Sequence, residues 1–367
     1  MVAPITTGRT PTAEGQRPAP LIVSDDPVLL DDLLRLCAAA GAHPDVHPAP
    51  PCGRAAWDAA PLVLVGADAA VRCRDVARRR GILLIGRDQD DPDVWRRAVE
   101  IGAEDVLCLP DAETRLVDRI ADVAEGVGRQ ALTVGVLGGR GGAGASTLAC
   151  ALAVGAARTS RRTVLVDGDP LGGGLDVLLG GEQADGMRWP DLAASTGRVA
   201  GTALEESLPL LHGVRLLSWD RGQSVALPPE AVRSVLAAAR RRGGIVVVDL
   251  PRRTDDATVE ALAQLDMGLL VVPGELKAVA AARRVAETAA MVLGDLRLLT
   301  RGPYTAGVDP EWMAHVLGLP LAGEVPEEPR LPAALDEGLP PGGAASGPLG
   351  RFCAAFWQRA LVGSGAS

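Results

Sequence analysis

The chain has 367 residues, of which 47% are hydrophobic and only 2% are aromatic. This length suffices for two domains, and the scarcity of aromatic side chains predicts cores built from alanine, leucine and valine. A formal net charge of −9 argues against non-specific binding to nucleic acid, which requires a clustered basic surface, so no specific nucleic-acid partner is expected. Six cysteines without C-x-x-C spacing, no apolar run long enough to span a membrane and no signal peptide together predict a reduced, cytoplasmic protein.

Residues 1–19 are rich in proline, threonine and glycine, which predicts a disordered tail. From residue 20 to residue 128, short aliphatic runs such as "PLVLVG" and "ILLIG" alternate with amphipathic segments such as "AAVRCRDVARRRG". This alternation predicts strands and helices in turn, which is typical of βαβ units around a parallel sheet. Residues 20–128 are therefore predicted to form a first α/β domain.

This first region resembles a response-regulator receiver domain, whose fold is flavodoxin-like, and it carries the acidic pair Asp25 and Asp26 after its first strand. The resemblance implies a phospho-acceptor aspartate directly after "LVLV" and a lysine before Pro110, but these positions hold Gly66 and Leu109. Asp68 lies two residues late and is expected to point elsewhere. We therefore expect a pseudo-receiver that has lost phosphotransfer and retains a protein-binding face.

A second α/β domain is predicted over residues 132–338. Its first strand, "LTVGVLGG", is followed by predicted strands at "TVLVDGD", "VRLLSW", "GIVVVDLP", "MGLLVVPG", "LRLLTRG" and "PLAGEVP", with helices between them. Residues 339–347, "LPPGGAASG", are predicted to be a linker, and residues 348–362 to be a C-terminal amphipathic helix.

A glycine-rich loop between the first strand and the following helix of this domain is the candidate nucleotide site. Backbone N–H groups at such a turn, together with the positive end of the helix dipole, bind phosphate oxygens. Ser146 stands where a hydroxyl would hold Mg²⁺. The same letters also satisfy G-x-G-x-x-G, with Asp167 lying 23 residues beyond Gly144, so the loop alone leaves a dinucleotide site open. The predicted phosphate-binding residues are Gly139, Arg140, Gly141, Gly142, Ala143, Gly144, Ala145, Ser146 and Thr147.

Aspartates that follow two later strands favour a P-loop. Asp249 ends the strand "GIVVVDLP" and is predicted to orient Mg²⁺ through water, while Asp169 is the candidate that faces an attacking water. Asp167 and Asp176 are candidates for a mobile switch around Gly172–Gly174, although Asp167 could instead simply end its strand or cap a turn. A dehydrogenase would explain Asp167 but would need neither Ser146 nor Asp249.

The motifs "GGAGASTLACALA", "VLVDGDPLGGGLDVLLG" and "VVVDLPR" resemble the MinD/ParA group of deviant Walker-A ATPases. With the pseudo-receiver in front, the whole chain beyond residue 19 resembles the CpaE/TadZ branch, and most closely the actinobacterial septum-site-determining proteins. The resemblance implies a P-loop fold with a mostly parallel sheet, a homodimer that binds ATP and Mg²⁺ between subunits, and spatial regulation of a division septum or of a pilus or secretion machine.

This sequence departs from the family loop at its lysines. Arg140 replaces the signature lysine, Ala145 replaces the P-loop lysine, and Thr300, followed by Arg301, replaces the asparagine that usually reads adenine. Loss of one charge-assisted phosphate contact costs about 10- to 150-fold in affinity, which binding could survive. Hydrolysis depends on placed positive charge, so we expect weak or absent ATPase activity with residual nucleotide binding.

The C-terminal helix has an apolar stripe with helical spacing, formed by Leu349, Phe352, Cys353, Phe356 and Ala360. The resemblance implies peripheral contact with the inner face of the cell membrane, whereas the more common use of such a stripe is packing on its own domain or on a dimer partner.

Together these patterns predict a positioning protein that contacts division, pilus or secretion proteins through the pseudo-receiver. Two alternatives stay open at this stage. One is an active ATPase that cycles between membrane and cytosol, and the other is an NAD(P)-binding oxidoreductase.

Overall fold

The computed structural model describes residues 19–51, 54–79, 81–88, 91–124, 130–193, 199–222 and 226–363. The chain divides into two units, residues 1–128 and 129–367. The predicted tail lies outside the described residues except for residue 19. Within the described ranges, no helix is long and apolar enough to cross a membrane.

The first unit is a five-stranded sheet in the order β2-β1-β3-β4-β5, in which every neighbouring pair is parallel. Its strands are β1 (Leu21–Val23), β2 (Asp45–His47), β3 (Val63–Gly66), β4 (Ile82–Gly86) and β5 (Asp105–Cys108). Its helices are α1 (Pro27–Ala39), α2 (Arg54–Ala59), α3 (Val94–Ile101) and α4 (Glu113–Ala124), with one 3₁₀ helix at Ala70–Cys73. Two apolar clusters cover the two faces of the sheet, which is why β3 and β4 are buried along their whole length.

Two elements of this unit differ from the sequence prediction. The edge strand β2 was not predicted, because Asp45 and Val46 are exposed and form no aliphatic run. The helix predicted over "AAVRCRDVARRRG" is wrong, since only Ala70–Cys73 forms a 3₁₀ helix. Arg78 and Arg79 beyond it donate to the carbonyls of Val99 and Trp57, so the segment is fixed by bonds to neighbouring elements and not by helical bonds of its own.

The second unit contains an eight-stranded sheet in the order β13-β12-β11-β6-β10-β7-β9-β8, parallel except for the β8–β9 pair. Its strands are β6 (Leu132–Gly138), β7 (Thr163–Asp167), β8 (Leu210–Leu211), β9 (Val214–Leu217), β10 (Ile245–Leu250), β11 (Met267–Pro273), β12 (Leu296–Arg301) and β13 (Leu321–Val325). Its helices are α5 (Ala145–Ala157), α6 (Leu175–Leu178), α7 (Trp189–Ala193), α8 (Gly201–Ser207), α9 (Pro229–Arg241), α10 (Asp256–Ala263), α11 (Leu276–Ala290), α12 (Pro310–Leu317), α13 (Leu331–Asp336) and α14 (Pro348–Gly363). The predicted α/β fold with a mostly parallel sheet is confirmed in both units.

Helix α5 lies between the sheet and the C-terminal helix α14, which explains why it is apolar on all sides. Gly155 permits a close approach of the two helices, because a Cβ there would lie 2.9 Å from the Cβ of Cys353. The Trp357 indole is 1% exposed and donates through Nε1 to the Leu152 carbonyl at 2.8 Å. The second unit thus includes α14 in its core.

The apolar stripe of α14 packs on its own domain. Leu349, Cys353 and Phe356 are buried in the α5 cluster, and Phe352 and Ala360 pack partly buried against it. The prediction of membrane contact through this stripe is therefore not supported by the structure, since a stripe that fills the domain core presents no apolar face to a bilayer.

The predicted linker, residues 339–347, runs as turns against α5. Pro340, Pro341 and Gly342 are buried, and a Cβ on Gly342 would lie 3.1 Å from the Cβ of Ala151. The segment is therefore a packed connection that guides the chain back across α5 into α14.

Candidate functional site

The glycine-rich loop joins β6, which is flanked by β10 and β11, to the N-terminus of α5. Gly142 and Gly144 have left-handed backbone angles of φ +70° and +94°, which residues with a Cβ rarely adopt. Gly139 packs tightly, since a Cβ there would lie 2.7 Å from the Ala282 Cβ on α11. These contacts and backbone angles explain why the loop needs glycine at several positions. The loop lies at the carboxyl edge of the parallel strands, where ligands bind in open α/β sheets.

The loop ends at Gly144, which caps α5 and offers no side-chain hydrogen bond to the first turn of the helix. The helix therefore presents backbone N–H donors and the positive end of its dipole towards the loop. Ser146, in that first turn, lies close enough to Asp249 for its hydroxyl to lower the pKa of that carboxyl. The structure thus brings together the predicted phosphate loop, the predicted Mg²⁺ hydroxyl and the predicted Mg²⁺ carboxylate.

Asp249 and Asp167 lie side by side at the ends of the paired strands β10 and β7. They are 3% and 1% exposed, and burial raises the pKa of Asp249 to about 7 and that of Asp167 to about 6. The Ser146 hydroxyl works against the shift at Asp249, and the Ser218 hydroxyl works against it at Asp167. A bound divalent cation would favour the ionised form of Asp249, so that metal binding and deprotonation are coupled.

Asp167 serves the architecture of the site. Its Oδ2 accepts from Ser218 Oγ at 2.8 Å and from the Leu175 N–H at 3.0 Å, which ties β7 to the end of β9 and to α6. Its carbonyl also accepts from the indoles of Trp189 and Trp219. A carboxylate engaged in this way within its own domain counts against the ribose contact that a dinucleotide fingerprint needs.

Asp169 and Asp176 occupy different environments in the segment between β7 and α6. Asp169 is partly exposed and accepts from the Leu171 N–H at 3.0 Å, which closes a turn next to the two buried aspartates. Asp176 has a fully buried side chain, and Arg221 binds both of its oxygens. Asp169 therefore stays the candidate nearest to solvent, whereas Asp176 anchors the segment that sequence reasoning assigned to a switch.

Arg140, at the position of the signature lysine, is engaged within its own chain. Its Nη2 lies 2.7 Å from Glu275 Oε1, just before α11, and its Nη1 donates to the Gly141 carbonyl at 3.0 Å. In this arrangement the guanidinium pairs with a carboxylate beside the loop, which offsets its positive charge.

A cavity of about 270 Å³ opens beside the loop. Gly144 and Thr147 line one part of it, and the segment after β13, including Glu327 and Glu328, lines another. Arg301 also lines this cavity and donates through Nη1 to the Ala143 carbonyl at 3.2 Å. Thr300, by contrast, is buried and accepts from the Tyr304 hydroxyl at 2.9 Å, so the polar group that this part of the chain offers to the cavity is Arg301.

Sequence reasoning did not place three charged residues at the loop: Arg252, Glu275 and Arg301. Arg252 Nη2 lies 3.7 Å from the position that a Cβ on Gly141 would take. Each of the three stands at or just after the carboxyl end of β10, β11 or β12. The carboxyl ends of parallel strands lie at one edge of the sheet. A charged residue directly after a strand that neighbours β6 is therefore the sequence feature that could have identified these three positions.

The residues present fit a nucleotide with Mg²⁺. The loop supplies the backbone cradle, the adjoining cavity can accept a nucleoside, and Ser146 with Asp249 offers hydroxyl and carboxylate oxygens, the donors that Mg²⁺ prefers. The described residues contain no group of three or more metal-ligating side chains. Mg²⁺ bound here would neutralise phosphate charge and would take its remaining ligands from phosphate oxygens and water.

The acidic end of the first unit differs from the sequence expectation. Asp68 does not point elsewhere: it accepts from Ser24 Oγ and from the Asp25 N–H, each at 2.9 Å. A Cβ on Gly66 would lie 2.1 Å from Asp68 Oδ1, so the Asp68 carboxylate occupies the space of a side chain at position 66. Arg72 bridges Asp25 and Asp68, and the hydrogen bond with Asp68, followed by that with Arg72, lowers the pKa of Asp25. Leu109 is buried, so the exposed Arg72, and no lysine at position 109, offsets the acidic charge.

We expect the pKa of Asp249 to make the stability of the ligand-free protein depend on pH. A carboxyl with a raised pKa stabilises the fold most below its ordinary value of 3.8 and loses this contribution as the pH rises through about 7. Between pH 5 and pH 8 the free energy of unfolding of the wild type should fall by about 2 to 3 kcal/mol relative to that of Asp249→Asn. Urea unfolding of both proteins in EDTA measures this difference, and parallel pH profiles would contradict it.

Comparisons with known proteins agree with this architecture. Residues 22–131 match the family described as the Rv3660c-like, CheY-like N-terminal domain. The Mycobacterium tuberculosis protein Rv3660c is 40% identical over 320 residues, covering 85% of this chain and 90% of Rv3660c.

Solved structures share the fold of the second unit. A ParA family ATPase from Chlorobium tepidum superposes with a TM-score of 0.56 at 19% identity, covering 62% of this chain and 97% of the ATPase. The septum site-determining protein MinD from Pyrococcus horikoshii, complexed with Mg-ADP, gives a TM-score of 0.51 at 16% identity over 65% of this chain and 99% of MinD. With a CheY-like unit followed by a MinD/ParA-like P-loop unit, this chain belongs to the family of Rv3660c.

Proposed function

We propose that this protein is a MinD-like spatial regulator of septum placement or of pilus or secretion machinery. It binds Mg²⁺ and ATP weakly, hydrolyses ATP slowly or not at all, and acts mainly through protein contacts. One observation carries the proposal: the phosphate loop, Ser146 and Asp249 are assembled, while position 145 is alanine and Arg140 is paired with Glu275. The site therefore keeps the groups that hold a nucleotide and lacks the placed charge that accelerates phosphoryl transfer.

The cofactor assignment is supported by the fit of the site and by the Mg-ADP in the P. horikoshii relative. The loop from Gly139 leads into the first turn of α5 at Thr147, and the cavity beside Gly144 has room for a nucleoside. We assign Ser146 and Asp249 to Mg²⁺, with Asp249 acting through water, and Asp169 to the attacking water. Asp167 and Asp176 hold the β7–α6 segment that would sense the nucleotide.

We assign the partner contacts to the first unit and place the protein in the cytoplasm, as a homodimer. Arg72 pairs with Asp25 and Asp68 and so offsets part of the acidic charge at that end of the unit. Trp95 and Val99, one turn apart on α3, are 66% and 70% exposed and provide apolar side chains for a division, pilus or secretion protein. The α14 stripe is buried in its own domain, so we propose that contact with the membrane, where it occurs, is made through such a partner.

The variant Ala145→Lys separates this proposal from an active ATPase. If only the loop charge is missing, a lysine at 145 should tighten ATP binding by about 10- to 150-fold and raise turnover above that of the wild type. Calorimetry and phosphate release with Mg-ATP measure the two effects. Wild-type turnover near that of an ordinary enzyme, about 1 to 10 per second, would instead support an ATPase that cycles. Thermal stabilisation by NAD with no response to Mg-ATP would support the dinucleotide alternative.

A further inference from the structure

Arg301 reaches the phosphate loop from a distant part of the chain. It is the last residue of β12, and its Nη1 donates to the carbonyl of Ala143, 158 positions earlier, at 3.2 Å. A Cβ built on Gly144 would lie only 2.8 Å from the same nitrogen. The guanidinium therefore stands directly over the residue that precedes Ala145.

The charge of Arg301 is available to a ligand. Among the described residues it forms no salt bridge, whereas Arg140, the other arginine whose side chain bonds to the loop backbone, is paired with Glu275 at 2.7 Å. Arg301 is exposed and lines the cavity together with Gly144 and Thr147, so a ligand entering that cavity meets it. Its single hydrogen bond to the Ala143 carbonyl leaves most of its five N–H donors for other acceptors.

The two ends of the cavity carry opposite charges. Arg301 lies at the loop end, beside the N-terminus of α5, and is the cation that lines the cavity, whereas Glu327 and Glu328 line the part beyond β13. A polyphosphate is attracted to the loop end and repelled by the glutamates, whose carboxylates can instead accept from hydroxyl groups. The cavity is thus arranged for a ligand with phosphates at one end and a hydroxyl-bearing group at the other.

We propose that Arg301 supplies to the phosphates of a bound nucleotide the positive charge that the alanine at position 145 cannot supply. This inference rests on the proposed nucleotide binding and names the residue that sustains it. A planar guanidinium offers a two-pronged contact to phosphate, which suits holding a nucleotide in place. Its origin at the end of β12 gives it a different approach from a side chain at position 145, so it restores part of the affinity without restoring the geometry for hydrolysis.

Calorimetry on the full-length chain with Mg-ATP and with Mg-tripolyphosphate, which lacks a nucleoside, tests this assignment. Arg301→Ala should lower the affinity for both ligands by the same factor, about 10- to 150-fold. Arg301→Lys should retain part of the affinity, and adding Ala145→Lys to Arg301→Ala should recover it. Arg297→Ala is the matched control, because Arg297 lies on the same strand and pairs with Asp295 at 2.8 Å away from the loop.

The outcomes separate this inference from the nucleotide proposal itself. Unchanged ATP affinity in Arg301→Ala, with clear binding by the wild type, would overturn the role of Arg301 and leave nucleotide binding intact. A lower affinity for ATP with an unchanged affinity for tripolyphosphate would also overturn this role, since Arg301 would then contact the nucleoside. A wild type that binds neither ligand would contradict both proposals.

Discussion

Replacement of Trp357 by alanine is expected to lower the free energy of unfolding of the second unit by about 3 to 5 kcal/mol. The indole is 1% exposed and packs edge-on against the Phe356 ring, with 5.0 Å between the ring centroids. Its Nε1 donates a hydrogen bond to the Leu152 carbonyl at 2.8 Å. The cavity left behind would lie between α5 and α14, where Gly155 already brings the helices into close approach. Because α5 carries the phosphate loop at its N-terminus, nucleotide binding should weaken as this packing is lost.

Urea unfolding followed by far-ultraviolet circular dichroism measures the effect of Trp357→Ala. Trp95→Ala is the matched control: the same residue type is removed from a side chain that is 66% exposed, so stability should change by less than about 0.5 kcal/mol. Equal unfolding profiles for the wild type and Trp357→Ala would mean that α14 is not an integral part of the domain. Its apolar stripe would then be available for contact with a membrane.

Gly144→Val is expected to reduce ATP affinity by about 100- to 10,000-fold, the loss of two charge-assisted hydrogen bonds at the loop. Gly144 has φ +94°, which a β-branched residue adopts only under strain, and its new side chain would collide with the Arg301 guanidinium. The backbone would relax by moving the N–H groups away from the phosphate positions. Calorimetry with Mg-ATP measures the change.

Gly318→Val is the control for the backbone strain of Gly144→Val. Gly318 follows α12 with φ +65°, and no atom lies within 4 Å of a Cβ placed there. Both variants should lose similar stability, about 1 to 2 kcal/mol, yet Gly318→Val should bind ATP as the wild type does. Retained binding in Gly144→Val would show that the loop is not the phosphate site.

The sequence predicted the fold well where strands are buried on both faces. Aliphatic runs such as β4 and β10 are apolar because helices cover both sides of each sheet. The exposed strand β2 carries no such pattern. The segment after Ala69 has a helical pattern of charges but is held by bonds from Arg78 and Arg79 to other elements, which local sequence does not record.

For the candidate site, the sequence predicted the residues that are contiguous or directly follow a strand. The loop from Gly139 to Thr147 and its Asp249 partner come together because parallel strands end at one edge. Contacts that depend on tertiary packing could not be predicted in this way. Arg301 meets the loop across 158 positions, and Asp68 fills the space over Gly66 only because its turn folds back.

The site as a whole explains how a nucleotide could act as a signal of state without being rapidly consumed. The cradle, the Ser146–Asp249 pair and Arg301 favour binding, whereas the alanine at position 145 and the engaged Arg140 remove charge from the reacting phosphate. Slow hydrolysis of a bound nucleotide would suit the proposed function, in which the protein marks position through contacts made by its first unit.

Calorimetry of the wild-type protein with ATP and ADP, with and without Mg²⁺ and combined with a phosphate-release assay, measures whether the site binds a nucleotide without turning it over. We expect measurable binding that Mg²⁺ strengthens, together with little or no release of phosphate. Absence of binding to either nucleotide, or turnover of about 1 per second or faster, would contradict it.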